Sequence, residues 1–558
     1  MRGSTDLSSR ENAGQRSSTL GNIALLAASL LLVVAMLAAM EGMLRLLNIG
    51  EPDSTSRLKY QQIFLPAMVP AVSPDGVVRF RTVDPRLPPQ TILREKPPED
   101  FRVFVFGGSA TAGLGYSPNV TFARHLERML GDAYPHRPIE VVNLGIVALS
   151  SKQVSLLVKD AVAYFSPDLV VVYSGNNEFL EIHAEKYARA HATFLSRVLD
   201  VVADTNLSRT LNGIMHGESQ SPSLADTDLS QEELRATQDQ IIQDVQLSKD
   251  EVAEVVDQYA SNIDAAVKVA KEHAVPTMLV SVASNWEWRG RSDLPEGWAA
   301  ELTATDGADT DETYAAAIEV LDRKLSGDVS EQDRHELLFK RATAHEMLGN
   351  YEAAREDFRT AMNDDPHLRR ALDSANERLH RIAETSDVTY LDMVPALAAR
   401  NEHSIVGFEQ FYDYVHFTPK GAIWAATAVF EAIQQLDLLP KPASFDPEDY
   451  VREQVSAVDG LENDFLDVHQ WLGIGFDPNR VHDRDLWKYD KMLAGLNELI
   501  EKEPNNFRAR VYLGNALFFK PGREDEAMRA YRSALDIEDN AVVRRNLELL
   551  LSEQTQRE

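Results

Sequence analysis

Five short runs rich in Val, Ile and aromatic residues recur along this chain, each bounded by turn residues. They are Phe101–Phe106 (FRVFVF), Ile139–Leu144 (IEVVNL), Leu169–Tyr173 (LVVVY), Pro276–Val282 (PTMLVSV) and Val388–Met393 (VTYLDM). Runs of this length and composition make strands. Helical patterns such as Ala123–Leu130 and Val154–Tyr164 lie between them. Strands that alternate with helices are joined by crossovers, so they run parallel, and near-continuous apolar strands are buried on both faces. The expected class is therefore α/β, a parallel sheet with helices on both sides.

The 558 residues allow three to five domains, and other patterns flank the sheet. Ile23 to Met40 is an 18-residue uncharged apolar run. As a helix it would span about 27 Å, enough for a bilayer core. Its length and the long, largely polar region of 22 residues before it favour a retained signal anchor over a cleaved signal peptide. The flanking charges nearly balance: Arg2, Arg10 and Arg16 against Arg45, Arg57 and Lys59. The acids Glu41, Glu51 and Asp53 tip the orientation toward a cytoplasmic N-terminus, with the remainder outside the membrane, on the periplasmic side. The expected organisation is a tail (1–22), a transmembrane anchor (23–45), an irregular Pro-rich lead-in (46–100), a catalytic body (101–440) and a C-terminal helical segment (441–558).

Two stretches of the body break the alternation. Residues 184–260 are polar and helical, with 12 acids and 3 bases between 201 and 260, and read as a solvated insertion. Residues 310–385 carry Leu338, Ala342, Gly349, Ala354, Phe358, Ala361 and Pro366, a spacing similar to a tetratricopeptide repeat. A related pattern, Leu513, Gly514, Ala527, Tyr531 and Ala534, recurs near the C-terminus. The net charge of −31 disfavours nucleic acid as a partner. The absence of cysteine excludes disulfides, thiolate metal sites and a Cys nucleophile.

The residues that carry chemistry sit where the strands end. Gly107-Gly108-Ser109 follows the first strand, with Ala110-Thr111-Ala112-Gly113 after it. A serine there is exposed at the carboxyl edge of a sheet, close to backbone N–H groups of a helix start. Phosphate-loop, dinucleotide and Gly-x-Ser-x-Gly spacings are absent, and a tight packing turn is the bland alternative. Far downstream, Asp413 and His416 are three residues apart, so the carboxylate can orient the imidazole and leave Nε2 as a base. Gly175-Asn176-Asn177-Glu178 follows the third strand and offers an amide donor to an oxyanion.

This order and spacing resembles the SGNH (GDSL-type) hydrolases over roughly 101–436. The resemblance implies a flavodoxin-like three-layer fold, Ser109 as nucleophile, Asp413 and His416 as acid and base, and Asn177 as an oxyanion donor. It further implies an oxyanion N–H from the block Asn143-Leu144-Gly145-Ile146-Val147-Ala148, at Ala148. Three positions depart from the family pattern: Gly108 replaces an Asp, Glu178 an Asp and Ala148 a Gly.

The implied reaction is acyl transfer without metal or cofactor, by a membrane-anchored esterase or O-acyltransferase on an envelope or exported carbohydrate. A lipase or thioesterase on lipid esters is the second reading. A weak enzyme body serving as a scaffold, with a protein partner on its repeats, is the third. Asn285-Trp286-Glu287-Trp288, after the fourth strand, offers paired indoles for a sugar ring, or else a packed loop.

Overall fold

The computed structural model describes residues 61–115, 118–191, 245–288, 311–458 and 486–551 apart from a few single positions, together with Met36, Met40 and Met43. Two compact units divide the chain, Met1–Thr55 with Ala188–Asp226, and Ser56–Tyr187 with Thr227–Glu558. Of the first, Met36, Met40 and Met43 are helical and exposed, and the rest of the expected membrane segment lies outside the described residues. Among the described residues no helix is long and apolar enough to cross a membrane.

The second unit begins with three antiparallel strands, β1 (Met68–Val72), β2 (Val78–Thr82) and β3 (Thr91–Leu93), in that order. An irregular lead-in was expected there, because nine prolines lie between residues 52 and 98. The prolines fit a sheet because the one inside a strand, Pro70, sits on the edge strand β1, where a missing N–H costs no ladder bond. Ile63, Ala67, Met68, Leu87 and Ile92 then join the apolar layer under the main sheet.

The main sheet has five parallel strands: β4 (Phe101–Gly107), β5 (Ile139–Gly145), β6 (Leu169–Tyr173), β7 (Thr277–Val280) and β8 (Thr389–Leu391). Their order is β5-β4-β6-β7-β8, the flavodoxin-like arrangement. Alternate side chains go to opposite faces. Val103, Val105, Leu169, Val171, Met278 and Val280 pack into one cluster, and Phe104, Phe106, Val170, Val172 and Leu279 into the other. Helices α2 (Phe122–Ala133) and α8 (Pro419–Gln434) cover the first face. Helices α3 (Ser151–Tyr164), α4 (Lys249–Glu272) and α7 (Asp373–Ser386) cover the second.

Two of these helices differ from expectation. Helix α4 starts inside the stretch expected as a solvated insertion, yet its Val256, Tyr259 and Ile263 are buried against the sheet. Helix α7 falls within 310–385 but is a crossover helix, with Leu379, Ile382 and Ala383 in the core. What interrupts the alternation is a helix at Asp311–Leu325 followed by a helical hairpin, α5 (Glu331–Met347) and α6 (Tyr351–Asn363). Its Leu338, Ala342, Ala354, Phe358 and Ala361 are continuous with the apolar cluster of the first face. Near the C-terminus α9 (Leu486–Lys502), α10 (Phe507–Phe518) and α11 (Glu524–Leu535) pack on one another, with the Tyr531 ring against Gly514.

Candidate active site

Strand β4 passes into the short helix α1 (Ser109–Ala112) within two residues. Gly107 makes this possible, because a Cβ there would run into the Thr111 side chain and the Tyr173 carbonyl. Ser109 therefore stands at the carboxyl edge of the sheet, one strand in from its β5 edge. It is 7% exposed.

His416 comes to it from the far end of the body. The Tyr412 N–H donates to the His416 carbonyl at 3.0 Å and an isolated bridge joins Phe411 and Phe417, so residues 411–417 form a tight reversal. Thr418 then caps α8, accepting from the Gly421 N–H at 3.0 Å, with Pro419 in the first turn. The cap fixes where the helix starts and hence where His416 leaves the turn. Asp413 works with both oxygens: Oδ1 accepts from the N–H groups of Val415 (2.9 Å) and His416 (2.8 Å), and Oδ2 faces His416 Nδ1 at 2.6 Å. His416 Nε2 lies 2.7 Å from Ser109 Oγ. Burial pushes the Asp413 carboxyl up, but the His416 charge and these hydrogen bonds outweigh it and hold the group below the usual carboxylate range.

The other two expected residues lie on neighbouring loops. Asn177 donates one Nδ2 hydrogen to the Leu149 carbonyl at 2.9 Å, and a primary amide carries a second. Its Nδ2 presses on Gly108 so closely that a Cβ on Gly108 would overlap it. Glycine at 108 thus leaves room for the amide beside the nucleophile's turn. Ala148 has φ of +65°, a left-handed conformation that costs a non-glycine residue roughly 1–2 kcal/mol. It is held there by its neighbours: Gln61 Nε2 donates to the Ala148 carbonyl at 2.8 Å, and Asn177 holds the next carbonyl. Glu178 completes the grip, accepting from Ser151 N–H (2.9 Å) and Oγ (2.6 Å) at the start of α3. Burial pushes the Glu178 carboxyl up to about 7.

Ser109, His416 and Asp413 are thus in direct contact, Asn177 is beside Gly108, and Ala148 is one residue from the carbonyl Asn177 holds. Three contributors had no role assigned from the sequence. Gln61 is fully buried and lies in the Pro-rich lead-in, where nothing marks it. Tyr412 donates its hydroxyl to the Leu114 carbonyl at 2.7 Å and stacks its ring on His416, with centroids 5.7 Å apart. Its adjacency to the Asp-x-x-His motif was the available signal. Asn285 is fully buried, and its Nδ2 donates to the Asp413 carbonyl at 2.9 Å. The paired indoles separate: Trp286 is 9% exposed and belongs to the core, while Trp288 leans on Phe408 and Tyr414.

A cleft of about 340 Å³ opens on the β5 edge, between Gln90, Arg124, Glu127 and Glu140. It borders α1 through Ala112 but touches none of the five expected site residues. Among the described residues no group of three or more His, Asp or Glu side chains is placed to hold a metal ion.

The model of the GDSL-like lipase/acylhydrolase family matches residues 103–429. No curated protein matched the chain. Similar solved structures include a GDSL-like lipase from Bacteroides thetaiotaomicron, at 14% identity over 62% of this chain and 92% of that one, with a TM-score of 0.27. Another is the acetylxylan esterase Axe2 from Geobacillus stearothermophilus, at 12% identity over 61% and 96%, with a TM-score of 0.28. The esterase EstA from Pseudoalteromonas sp. matches at 9% identity over 60% and 98%, with a TM-score of 0.26.

Proposed function

The chain belongs to the GDSL-like lipase/acylhydrolase family and is an ester-bond hydrolase; from this premise we propose that it cleaves carbohydrate esters through an acyl-enzyme formed on Ser109. The observation that carries the proposal is the continuous hydrogen-bond chain Ser109 Oγ–His416 Nε2 and His416 Nδ1–Asp413 Oδ2, at 2.7 and 2.6 Å. Nucleophile, base and orienting carboxylate within hydrogen-bond reach are what serine acyl transfer requires.

In this reaction Ser109 Oγ attacks the ester carbonyl carbon while His416 Nε2 takes its proton. Asp413 stabilises the imidazolium. The oxyanion is held by the N–H groups of Ser109 and Ala148 and by the remaining Asn177 amide hydrogen. As the tetrahedral intermediate collapses, the C–O bond to the alcohol breaks and the imidazolium returns its proton to the leaving oxygen. Water, deprotonated by His416, then releases the acid. A sugar hydroxyl in the place of that water makes the same enzyme an O-acyltransferase.

The anchor reading extends this proposal. The apolar run at 23–40 supports a body tethered at a membrane on the extracytoplasmic side, and the residue spacing of the two hairpin segments supports tetratricopeptide-like docking surfaces for a protein partner. The aromatic group of Trp288, Phe408 and Tyr414 beside His416 favours a sugar ring over an acyl chain. The test is fluorophosphonate labelling and p-nitrophenyl acetate hydrolysis by the full chain and by Ser109→Ala. Ser109-independent labelling and turnover would refute the site. Acetylated xylan compared with short-chain phospholipids separates sugar from lipid esters. Alkaline phosphatase fused after residue 60 is expected to be active, and an expressed but inactive fusion reverses the orientation.

A further inference from the structure

Between the hairpin α5–α6 and helix α7, residues 367–372 reach both loops of the site. Arg370 is 3% exposed. Its nearest carboxylate, Asp365, is also buried but 3.7 Å away, long for an ion pair. The short contact of the guanidinium is instead to a main-chain oxygen: Nη1 donates to the Asn285 carbonyl at 2.6 Å, while Nη2 reaches the Trp288 carbonyl at 3.3 Å. Burying a cation is costly unless well-placed hydrogen bonds offset its desolvation, and a planar fork gripping two carbonyls is a geometry that lysine does not supply.

Asn285 passes this constraint on. Its N–H donates to the Tyr414 carbonyl and its Nδ2 to the Asp413 carbonyl, both at 2.9 Å. The backbone of the turn that carries Asp413 is thereby fixed from below, while the Asp413 carboxylate engages His416 above. One residue beyond Arg370, the Ala371 N–H donates to Asn176 Oδ1 at 3.0 Å, next to Asn177.

We propose that Arg370 is a positioning residue for the acid–base pair, acting through Asn285 on Asp413, and that residues 367–372 strap the acid–base loop to the oxyanion loop. The proposal rests on the catalytic reading of Asp413 and His416 given above.

The experiment measures kcat and KM for p-nitrophenyl acetate, and the fluorophosphonate labelling rate, in the full chain. The variants are Arg370→Lys, Asn285→Ala, Asp413→Ala and the double variant Arg370→Lys/Asp413→Ala. A small displacement of a catalytic group costs about a hundredfold, so Arg370→Lys is expected to lower kcat by about 10- to 100-fold with KM little changed. Asn285→Ala should act in the same way. In the Asp413→Ala background, Arg370→Lys should lower the rate less than about threefold, because its route of action is gone. Arg341→Ala serves as the structural control, since it breaks the Arg341–Asp357 pair of the hairpin. It should lower the melting temperature and leave kcat unchanged. The proposal is overturned if Arg370→Lys keeps wild-type kcat while Asp413→Ala is inactive. It is equally overturned if the loss persists undiminished in the double variant, or if Arg341→Ala reproduces it. A fully active Asp413→Ala removes the catalytic reading and the strap together.

Discussion

Gly108→Ala is the sharpest single-residue test of how the oxyanion loop is built. The added Cβ would fall about 1 Å inside ordinary carbon–nitrogen contact with Asn177 Nδ2, and 3.3 Å from the Leu149 carbonyl oxygen. Gly108 cannot retreat easily, because it joins β4 to α1 and its carbonyl accepts from the Ala112 N–H at 3.0 Å. Asn177 is the mobile partner, so the methyl expels its amide from Leu149 and from the oxyanion. One oxyanion donor is worth about 2.7–4 kcal/mol in the transition state, or about 10² to 10³ in kcat. The overpacking itself costs about 1–3 kcal/mol of stability. The assay is kcat for p-nitrophenyl acetate alongside a urea melt, in wild type and in Asn177→Ala. Gly108→Ala should be nearly inactive in the first background and almost silent in the second, where the clashing amide has been removed. A variant that keeps kcat within threefold, or one that costs as much without Asn177 as with it, would refute the reasoning.

Other perturbations probe the same loop. Ala148→Gly removes the left-handed strain at φ +65° and adds chain entropy to the unfolded state. The two nearly offset, so the thermal midpoint should move by less than about 1 kcal/mol equivalent while kcat is kept; a large loss of activity would show that the methyl shapes the oxyanion site. Gln61→Ala leaves the Ala148 carbonyl without its donor, a loss of about 1–3 kcal/mol, and should lower both stability and kcat; unchanged urea midpoints would exclude this role. Glu178 has a folded pKa of about 7 against 4.5 for the ordinary group. The unfolded chain therefore releases this proton first, and the contribution of Glu178 to stability is full below pH 4.5 and lost as pH rises through 7. Glu178→Gln should flatten the stability profile between pH 5 and 8, and parallel profiles would contradict the assignment.

The sheet was legible from local pattern. The five Val-rich runs became the five parallel strands, and the serine after the first of them and the Asp-x-x-His before the last apolar helix came into contact. Periodicity and turn residues are short-range signals, and β4, β6 and α8 obey them because each is buried on the faces its pattern implies. The lead-in misread as irregular is a different case. Its prolines are breakers in a central strand but tolerated on an edge, and edge position is a property of pairing, invisible in sequence. Helices α4 and α7 likewise looked like parts of insertions because they are charged on the solvent face. Only their packing against β7 and β8 shows which face is buried.

By itself, then, the sequence determined the α/β class, the chemical types at the site and the order in which the chain delivers them. Tertiary structure decided the distances. The 2.7 Å contact between Ser109 and His416 closes a loop of more than 300 residues, and no local rule sets it. The same holds for Gln61 on Ala148, Glu178 on Ser151 and Arg370 on Asn285, where a polar side chain finds its partner 27 to 87 positions away. Buried polar groups must be paired, but which partner satisfies each is settled only when the layers close around it. The left-handed Ala148 makes the point in one residue: its local preference is against that conformation, and the contacts around it hold it there.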